Sequence, residues 1–374
     1  MYVAELSVRD FRSYENATVH FVPGINVLIG TNGQGKTNLV EAISYLATFS
    51  SHRVASDVPL VRKDCTGAGV KVVLDDQGRQ ISLEVEITPG KANKAKLNGS
   101  PVTRAREVLG ALLTVVFAPE DLMLVKGDPS ERRKFLDDTL TMITPSYAGV
   151  RSDYEKVLKQ RNALLKSAYN KRDADAMRTL DVWDSQLARA GAAIIFNRHS
   201  LVTSMQPLVR DSYTTVSDDR GPCEISYQSS LGIDCAGQTQ DLLEAALLDA
   251  LSRRRKDELD RGVTLVGPHR DELIVELRGL PVRGYASHGE SWSVALALKL
   301  AVFDLVRDVS RHGDPVLVLD DVFAELDEIR RRKLVELVQK CEQTIVTAAV
   351  AADVPADLDG ARFDVFEGSV NRVV

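Results

Sequence analysis

Cysteine, aromatic residues and long apolar runs are all scarce in this chain of 374 residues. Its four cysteines are scattered and form no C-x-x-C pair, which does not fit a zinc site and favours a reduced compartment. Aromatic residues account for only 6%, so no base-stacking platform is visible. No stretch approaches the roughly 18 unbroken apolar residues of a membrane span, and the chain starts without a signal-peptide pattern. We therefore expect a cytoplasmic protein with no membrane partner.

Positive charge and histidine are limited as well. The formal net charge of −6 gives the molecule no overall attraction to nucleic acid, so any contact with DNA must come from a local basic patch. The six histidines include no pair at metal-ligand spacing, and no Ser-His-Asp set or reactive cysteine can be assigned. A composition of 44% hydrophobic and 27% charged residues is that of a globular protein, and the length predicts two or three domains.

One glycine-rich segment carries most of the functional information. It matches the phosphate-binding pattern G-x-x-x-x-G-K-[ST] and lies between an apolar run at residues 25–29 and a helix-like stretch at 38–46. This segment and the first residue of the helix form the predicted ATP-binding loop, which consists of Gly30, Thr31, Asn32, Gly33, Gln34, Gly35, Lys36, Thr37 and Asn38.

The chemistry of such a loop follows from its backbone. Glycines let successive N–H groups point at a triphosphate, and the helix that follows adds the positive end of its dipole. We expect Lys36 to reach the β and γ phosphates, as a catalytic residue, and the Thr37 hydroxyl to hold Mg²⁺. The alternative is a glycine-rich turn that binds no ligand.

A second acidic motif follows the strongest buried strand of the sequence. Four apolar residues at 316–319 precede Asp320 and Asp321. A strand buried on both faces ends at the carboxyl edge of its sheet, where the phosphate loop also lies. There Asp320 can hold Mg²⁺ and Asp321 can accept a proton from an attacking water or orient it. The alternative role for Asp321 is a helix N-cap.

The order of elements predicts an α/β domain with a helical insertion. Apolar residues at three-to-four spacing indicate helices over residues 130–216, and a nearly all-apolar stretch at 291–306 indicates a buried helix. We predict domain boundaries that give a discontinuous head of residues 1–128 and 262–374 and an insertion of residues 129–261. Strands are expected at residues 2–8, 25–29, 71–74, 81–87, 112–117, 263–266, 273–277, 315–320 and 343–347, with a closing hairpin at 362–370.

A polar loop before the buried helix completes a set of three motifs. It contains Ser287, His288, Gly289 and Glu290, and it is similar to the signature loop of ABC-type ATPase heads. By itself such a loop is more simply a helix start capped by serine. Its position between the insertion and the acidic strand favours the signature role.

Longer motifs make the likeness specific. The chain resembles the RecF family of bacterial recombination mediators, whose ABC-type heads are related to SMC proteins. The likeness runs almost from end to end, through residues 11–14, 21–26, 30–41, 47–53, 117–122, 126–133, 267–273 and 319–327. It implies an ABC-type P-loop ATPase head, with a mixed sheet and an antiparallel β-subdomain, that carries an inserted α-helical arm.

The resemblance also implies a function. Two heads would form an ATP-dependent homodimer, with each ATP held between the phosphate loop of one subunit and the Ser287 loop of the other, while Glu325, Leu326 and Asp327 would be the D-loop that crosses the interface. The dimer would bind gapped, single- and double-stranded DNA and hydrolyse ATP weakly when DNA stimulates it. With RecR and RecO it would help to load RecA, supporting replication restart and the SOS response.

The sequence departs from the family in its signature loop, and from transporter-type ABC cassettes in lacking their switch histidine. Family members commonly have Ser-Gln-Gly-Gln in the signature loop, whereas this chain has His288 and Glu290, and the added negative charge could weaken closure on ATP. No histidine follows the strand that ends near Val346, which leaves Thr347 as the nearest polar candidate for sensing the γ-phosphate.

DNA contacts are expected from two basic clusters that could neutralise phosphates. The alternative for each residue is a solvated face, which we favour for the runs at residues 253–256 and 330–333 because acids lie close to them. The candidates are Lys91, Lys94, Lys96, Arg104 and Arg106 near a hairpin, and Arg151, Lys156, Lys159 and Arg161 in the first helix of the insertion.

Two rival functions remain open at this point. One is a DNA-binding protein that uses ATP as a switch without significant turnover, since Asp321 supports hydrolysis but sets no rate. The other is a P-loop kinase for a small metabolite, which the large insertion and the signature loop disfavour.

Overall fold

The structure is a computed structural model that describes residues 1–54, 56–168, 174–217, 221–310 and 313–373. The chain divides into two compact units. The head unit comprises Met1–Val125, Leu208–Pro222 and Ala286–Val374, and the arm unit comprises Lys126–Pro207 and Cys223–Tyr285.

The strands of the described chain belong to three sheets. In chain order they are β1 (Tyr2–Phe11), β2 (Tyr14–His20), β3 (Gly24–Ile29), β4 (Ala68–Asp76), β5 (Arg79–Ile87), β6 (Lys94–Leu97), β7 (Ser100–Pro101), β8 (Thr114–Phe117), β9 (Cys223–Gln228), β10 (Glu272–Leu277), β11 (Leu280–Pro281), β12 (Val316–Asp320), β13 (Gln343–Ala348), β14 (Ala361–Phe366) and β15 (Ser369–Arg372).

The helices range from single turns to one of 43 residues. They are α1 (Lys36–Thr48), α2 (Met123–Lys126), α3 (Pro129–Ile143), α4 (Tyr147–Ala168), α5 (Ala174–Val216), α6 (Gln240–Arg261), α7 (Val282–Tyr285), α8 (His288–Val309), α9 (Val322–Glu325) and α10 (Glu328–Val338). Within the described ranges, no helix combines the length and the apolar character that crossing a membrane requires.

A parallel sheet forms the centre of the head unit, with strand order β15-β14-β3-β13-β12-β8. Only the edge strand β15 is antiparallel to its neighbour. Every residue of β12 and β13 is buried, as expected for strands covered on both faces. The prediction of buried strands at 315–320 and 343–347 is therefore confirmed, and so is the buried helix, which is α8.

A second sheet of the head unit is antiparallel, in the order β2-β1-β4-β5-β6-β7. Alternate residues of β4 and β5 are buried, and these side chains share one apolar cluster with α1 and the parallel sheet. The mixed α/β head with an antiparallel β-subdomain thus has the predicted form.

The arm unit differs from the predicted insertion in three ways, the first being that Leu208–Pro222 belong to the head unit. It contains a three-stranded antiparallel sheet, because β10 pairs with β9 and β11. That pairing draws residues 262–285 into the arm unit, whereas we expected them in the head. The expected strand at 263–266 is wrong, because these residues form an irregular segment with bends after α6. The predicted helix over 130–216 corresponds to α3, α4 and α5, and its residues 169–173 lie outside the described residues.

Buried charges connect three helices of the arm unit. Arg161 on α4 is fully buried, and its guanidinium donates to Asp184 of α5 at 2.6 Å and to Glu258 of α6 at 2.6 Å. A third bond goes to the Thr264 hydroxyl at 2.8 Å. A DNA phosphate cannot reach this side chain, so our assignment of Arg161 to DNA contacts is corrected to a structural one.

We expect Arg161→Ala to lower the free energy of unfolding by about 3–5 kcal/mol, because two buried carboxylates lose their counter-ion. Urea unfolding followed by circular dichroism measures the loss. Lys159→Ala is the matched control, since this exposed side chain lies two residues away on the same helix and should change stability by less than about 0.5 kcal/mol. Equal stabilities of the two variants would contradict the structural role of Arg161.

Candidate functional site

The phosphate loop lies between β3 and α1, as predicted. Gly33 and Gly35 have φ angles of +87° and +103°, a region that residues with a Cβ seldom adopt. A Cβ added to Gly35 would also lie 2.7 Å from the Tyr14 hydroxyl. The hairpin of β14 and β15 supports the loop from the other side, since the backbone N–H of Glu367 donates to Gln34 Oε1 at 2.7 Å.

The loop holds its lysine inward and leaves the start of α1 without a side-chain cap. Lys36 is buried, and its Nζ donates to the carbonyl oxygens of Gly30 at 2.7 Å and Thr31 at 3.4 Å, so the ammonium group is held inside the loop. Among the described residues no side chain caps the start of α1, and its first turn holds no acid. The N–H of Asn38 already donates to the Gly35 carbonyl at 3.0 Å, so the N–H groups of Lys36 and Thr37 are those that this turn offers to an anion.

Asp320 and Thr37 come together at the carboxyl edge of the parallel sheet. Thr37 Oγ1 donates to Asp320 Oδ1 at 3.0 Å, and Thr347 Oγ1 donates to the same oxygen at 2.6 Å. Burial raises the pKa of Asp320 to about 6, and the nearby charge of Asp321 adds to the effect. A hydroxyl and a carboxylate in contact are the oxygen ligands that Mg²⁺ prefers, so the residues fit a magnesium ion bound with ATP.

Asp321 has an unusual backbone for its residue type. Its φ angle is +52°, and its N–H donates to Thr347 Oγ1 at 2.9 Å. It stands at the N-cap position of α9, but its side chain makes no capping hydrogen bond to that described helix. The half-buried carboxylate therefore remains available for another role. Thr347 orients both acids, which gives it a structural task in addition to the sensing role that we considered for it.

Buried ion pairs hold the segments around α1. The guanidinium of Arg12 donates to both carboxylate oxygens of Glu41, at 2.7 and 2.6 Å, and Ser51 donates to the same group at 2.5 Å. Burial alone would raise the pKa of Glu41, but these bonds lower it. Arg53 donates to Asn38 at 3.1 Å. The sequence gives no sign that residues from these separate motifs meet around α1.

The signature loop starts α8 with a reciprocal cap. Ser287 Oγ accepts from the N–H of Glu290 at 3.3 Å, while Glu290 Oε2 accepts from the N–H of Ser287 at 2.7 Å. This is a capping box, which satisfies two N–H groups of the helix start. The interpretation of this loop as a serine-capped helix start therefore holds, and Ser287 is exposed at the start of α8 whereas Gly289 is half-buried. The remaining signature residue, His288, is exposed.

The D-loop residues lie between α9 and α10. Glu325 ends α9 and is exposed, Leu326 is buried, and Asp327 caps α10 by accepting from the N–H of Arg330 at 2.9 Å. We expected a solvated face at residues 330–333. The structure instead turns Arg331 inward, where its guanidinium donates to the Phe323 carbonyl at 2.8 Å.

The basic residues that we predicted to contact DNA differ in how exposed they are and in whether they pair with an acid. In the head unit, Lys91, Lys94 and Arg104 are exposed, Arg106 is partly exposed, and Lys96 pairs with Glu84 at 3.0 Å. In the arm unit, Lys159 is exposed and Lys156 lies 3.4 Å from Asp153. Arg151 is tied to Asp138 at 3.2 Å and Glu155 at 3.0 Å, which limits what it can offer to DNA.

Comparisons of the amino-acid sequence with known proteins all point to the same family. A family profile described as the RecF/RecN/SMC N terminal domain matches residues 2–355. The DNA replication and repair protein RecF of Streptomyces avermitilis is 53% identical over 379 residues, covering 100% of both chains. The protein of the same name from Beutenbergia cavernae is 51% identical over 396 residues, again covering 100% of both chains.

Solved structures agree with this result. The recombination mediator protein RecF of the RecFOR pathway, solved with ATP, is 29% identical with a TM-score of 0.90, covering 100% of this chain and 98% of that one. The Smc head domain of Pyrococcus furiosus is 16% identical with a TM-score of 0.54, covering 100% and 96%, and this likeness shows the fold alone. The chain belongs to the RecF family of DNA replication and repair proteins, within the RecF/SMC-type ATPases.

Proposed function

We propose that the protein binds ATP and Mg²⁺ in the phosphate loop and dimerises through the bound nucleotide. The observation that carries the proposal is the meeting of Lys36, Thr37 and Asp320 at one edge of the parallel sheet. The solved relative that contains ATP supports the choice of nucleotide. Mg²⁺ would neutralise the phosphate charge and orient the γ-phosphate, with Thr37 and Asp320 as its protein ligands.

The composite pocket would take its second half from another copy of the chain. Ser287 is exposed at the start of α8, where a partner's triphosphate could meet its hydroxyl and the positive end of the helix dipole. Asp321 would then orient the attacking water from its own subunit, and the D-loop would contact the partner.

We propose further that ATP closes the dimer on DNA at gaps and at single-strand–double-strand junctions. Exposed basic residues in both units, notably Lys91 and Lys159, would contact the backbone without sequence readout. The RecFOR pathway named for the solved relative supports RecO and RecR as partners. Loading of RecA, replication restart and the SOS response would be the outcome. DNA would stimulate a weak ATPase. If no phosphate is released even in the presence of gapped DNA, the protein would be an ATP switch without turnover. If a strictly monomeric form keeps full activity, a small-metabolite kinase would be favoured.

Lys36→Ala should weaken ATP binding by about 100-fold, because a buried ammonium that contacts phosphate oxygens contributes up to ~3 kcal/mol. Titration calorimetry with Mg-ATP measures the affinity. Lys63→Ala, which removes an exposed lysine of the head unit, is the control and should bind normally. Unchanged binding by Lys36→Ala would refute the assignment of the phosphate loop.

Asp321→Asn should lower ATP hydrolysis by about 10²- to 10⁴-fold, since an amide cannot accept the proton of the attacking water. ATP binding should persist, so that the ATP-bound dimer becomes long-lived. Phosphate release in the presence of gapped DNA, together with sedimentation, follows both effects. The exposed Asp359→Asn is the matched control, and wild-type turnover by Asp321→Asn would remove this residue from catalysis.

Ser287→Arg should block dimerisation and leave ATP binding by each subunit intact, because a bulky side chain would enter the half of the pocket that the partner fills. Sedimentation at saturating Mg-ATP measures the dimer. Ser287→Thr keeps a hydroxyl that can cap α8 and should dimerise nearly as well as the wild type. A full-strength Ser287→Arg dimer would show that this loop lies outside the interface.

A further inference from the structure

One arginine contacts both of the loops that the proposed dimer would present to its partner. Arg330 lies in the first turn of α10, in the run of basic residues that we expected to face solvent. Its guanidinium forms an ion pair with Asp327 of the D-loop. The same group reaches α8, where Nε donates to the hydroxyl of Ser293 at 2.7 Å.

The contact extends to the signature loop itself. A Cβ placed on Gly289 would lie 3.3 Å from Nη2 and 3.5 Å from Nη1 of Arg330, so the guanidinium packs against this glycine. Ser293 is fully buried one turn further along α8. One planar side chain thus touches the glycine, the first turns of the signature helix and the acid of the D-loop.

We propose that Arg330 is a positioning residue that fixes the signature loop relative to the D-loop within each subunit. This inference rests on the proposed function, in which both loops meet the partner. The guanidinium has five N–H donors in a rigid plane, so it can hold Asp327 and Ser293 at the same time. A lysine ammonium is a flexible point charge and cannot reproduce this fork.

The consequence is that the two loops act together. A subunit that brings Ser287 to the triphosphate of its partner also brings Asp327 to the interface in a defined position. Without Arg330, the loops would have to be ordered separately on dimerisation, which costs conformational entropy. The phosphate loop would be unaffected, because Lys36, Thr37 and Asp320 are held by other groups.

The test compares Arg330→Ala with Arg332→Ala. Arg332 is a matched control because it lies on the same helix, is exposed and pairs with Glu328 at 3.4 Å, away from Ser293 and the D-loop, so its loss should leave dimerisation unchanged. We expect Arg330→Ala to bind Mg-ATP as a monomer with wild-type affinity but to dimerise about tenfold more weakly, as for the loss of one charge-assisted contact. Calorimetry measures the first quantity and sedimentation velocity at saturating Mg-ATP the second.

Two milder variants keep the inference open to refutation if Arg330→Ala does not fold. Ser293→Ala removes one acceptor of the guanidinium and leaves the arginine in place, and Arg330→Lys keeps the charge. Both should bind ATP normally and dimerise more weakly than the wild type, with Arg330→Lys restoring part of what alanine loses.

Three outcomes would count against the inference. Dimerisation of Arg330→Ala at the strength of Arg332→Ala would overturn it and leave the proposed function standing. Parallel loss of ATP affinity and dimerisation in the folded variants would assign Arg330 a general structural role instead. A wild-type protein that stays monomeric at saturating Mg-ATP would overturn the proposed function and this inference together.

Discussion

The hydrogen bond from Thr347 to Asp320 is the interaction on which the nucleotide site depends. These two residues are partners in the register of β12 and β13, and β13 in turn lies between β12 and β3. Because the three strands are parallel, their carboxyl ends meet at one edge, where the phosphate loop leaves β3. The sheet thereby brings Thr37 to an acid 283 positions further along the chain.

Sequence was sufficient wherever local structure depends on neighbouring residues. The phosphate loop could be located because its glycines, lysine and threonine follow one another and flank a strand and a helix. Asp320 could be placed at the same edge because its buried strand is a continuous apolar run. The turn between β14 and β15 could be predicted in the same way, from the adjacent residues Glu367 and Gly368. In the structure both residues have the positive φ angles that such a turn requires.

Sequence failed where the partner of a charge is distant. In the sequence, Arg161 lies close to basic residues that are exposed, and no neighbouring residue indicates that it forms buried ion pairs with Asp184 and Glu258. Arg330 gave the same false impression, because its contact with Ser293 is 37 positions away. In both cases the prediction rested on charge alone. Arg161 was assigned to DNA contacts, but it bonds to α5 and α6, and Arg330 was assigned to a solvated face, but it bonds to α8 and the D-loop. The prediction of a strand at 263–266 was wrong for a related reason. The residues there are apolar, but in the structure they follow α6 and pair with no strand of the described chain.

The unusual acid of the signature loop has a simple physical explanation. The carboxylate of Glu290 accepts a hydrogen bond from the Ser287 N–H, at the positive end of the α8 dipole. Glutamine can occupy the same place in a capping box, so the start of the helix tolerates either residue. An exchange between them would therefore leave the isolated subunit almost unchanged. In the proposed dimer, the difference in charge would act on an anion that approaches the helix start, so position 290 would influence how readily two subunits close while the cap of α8 is kept.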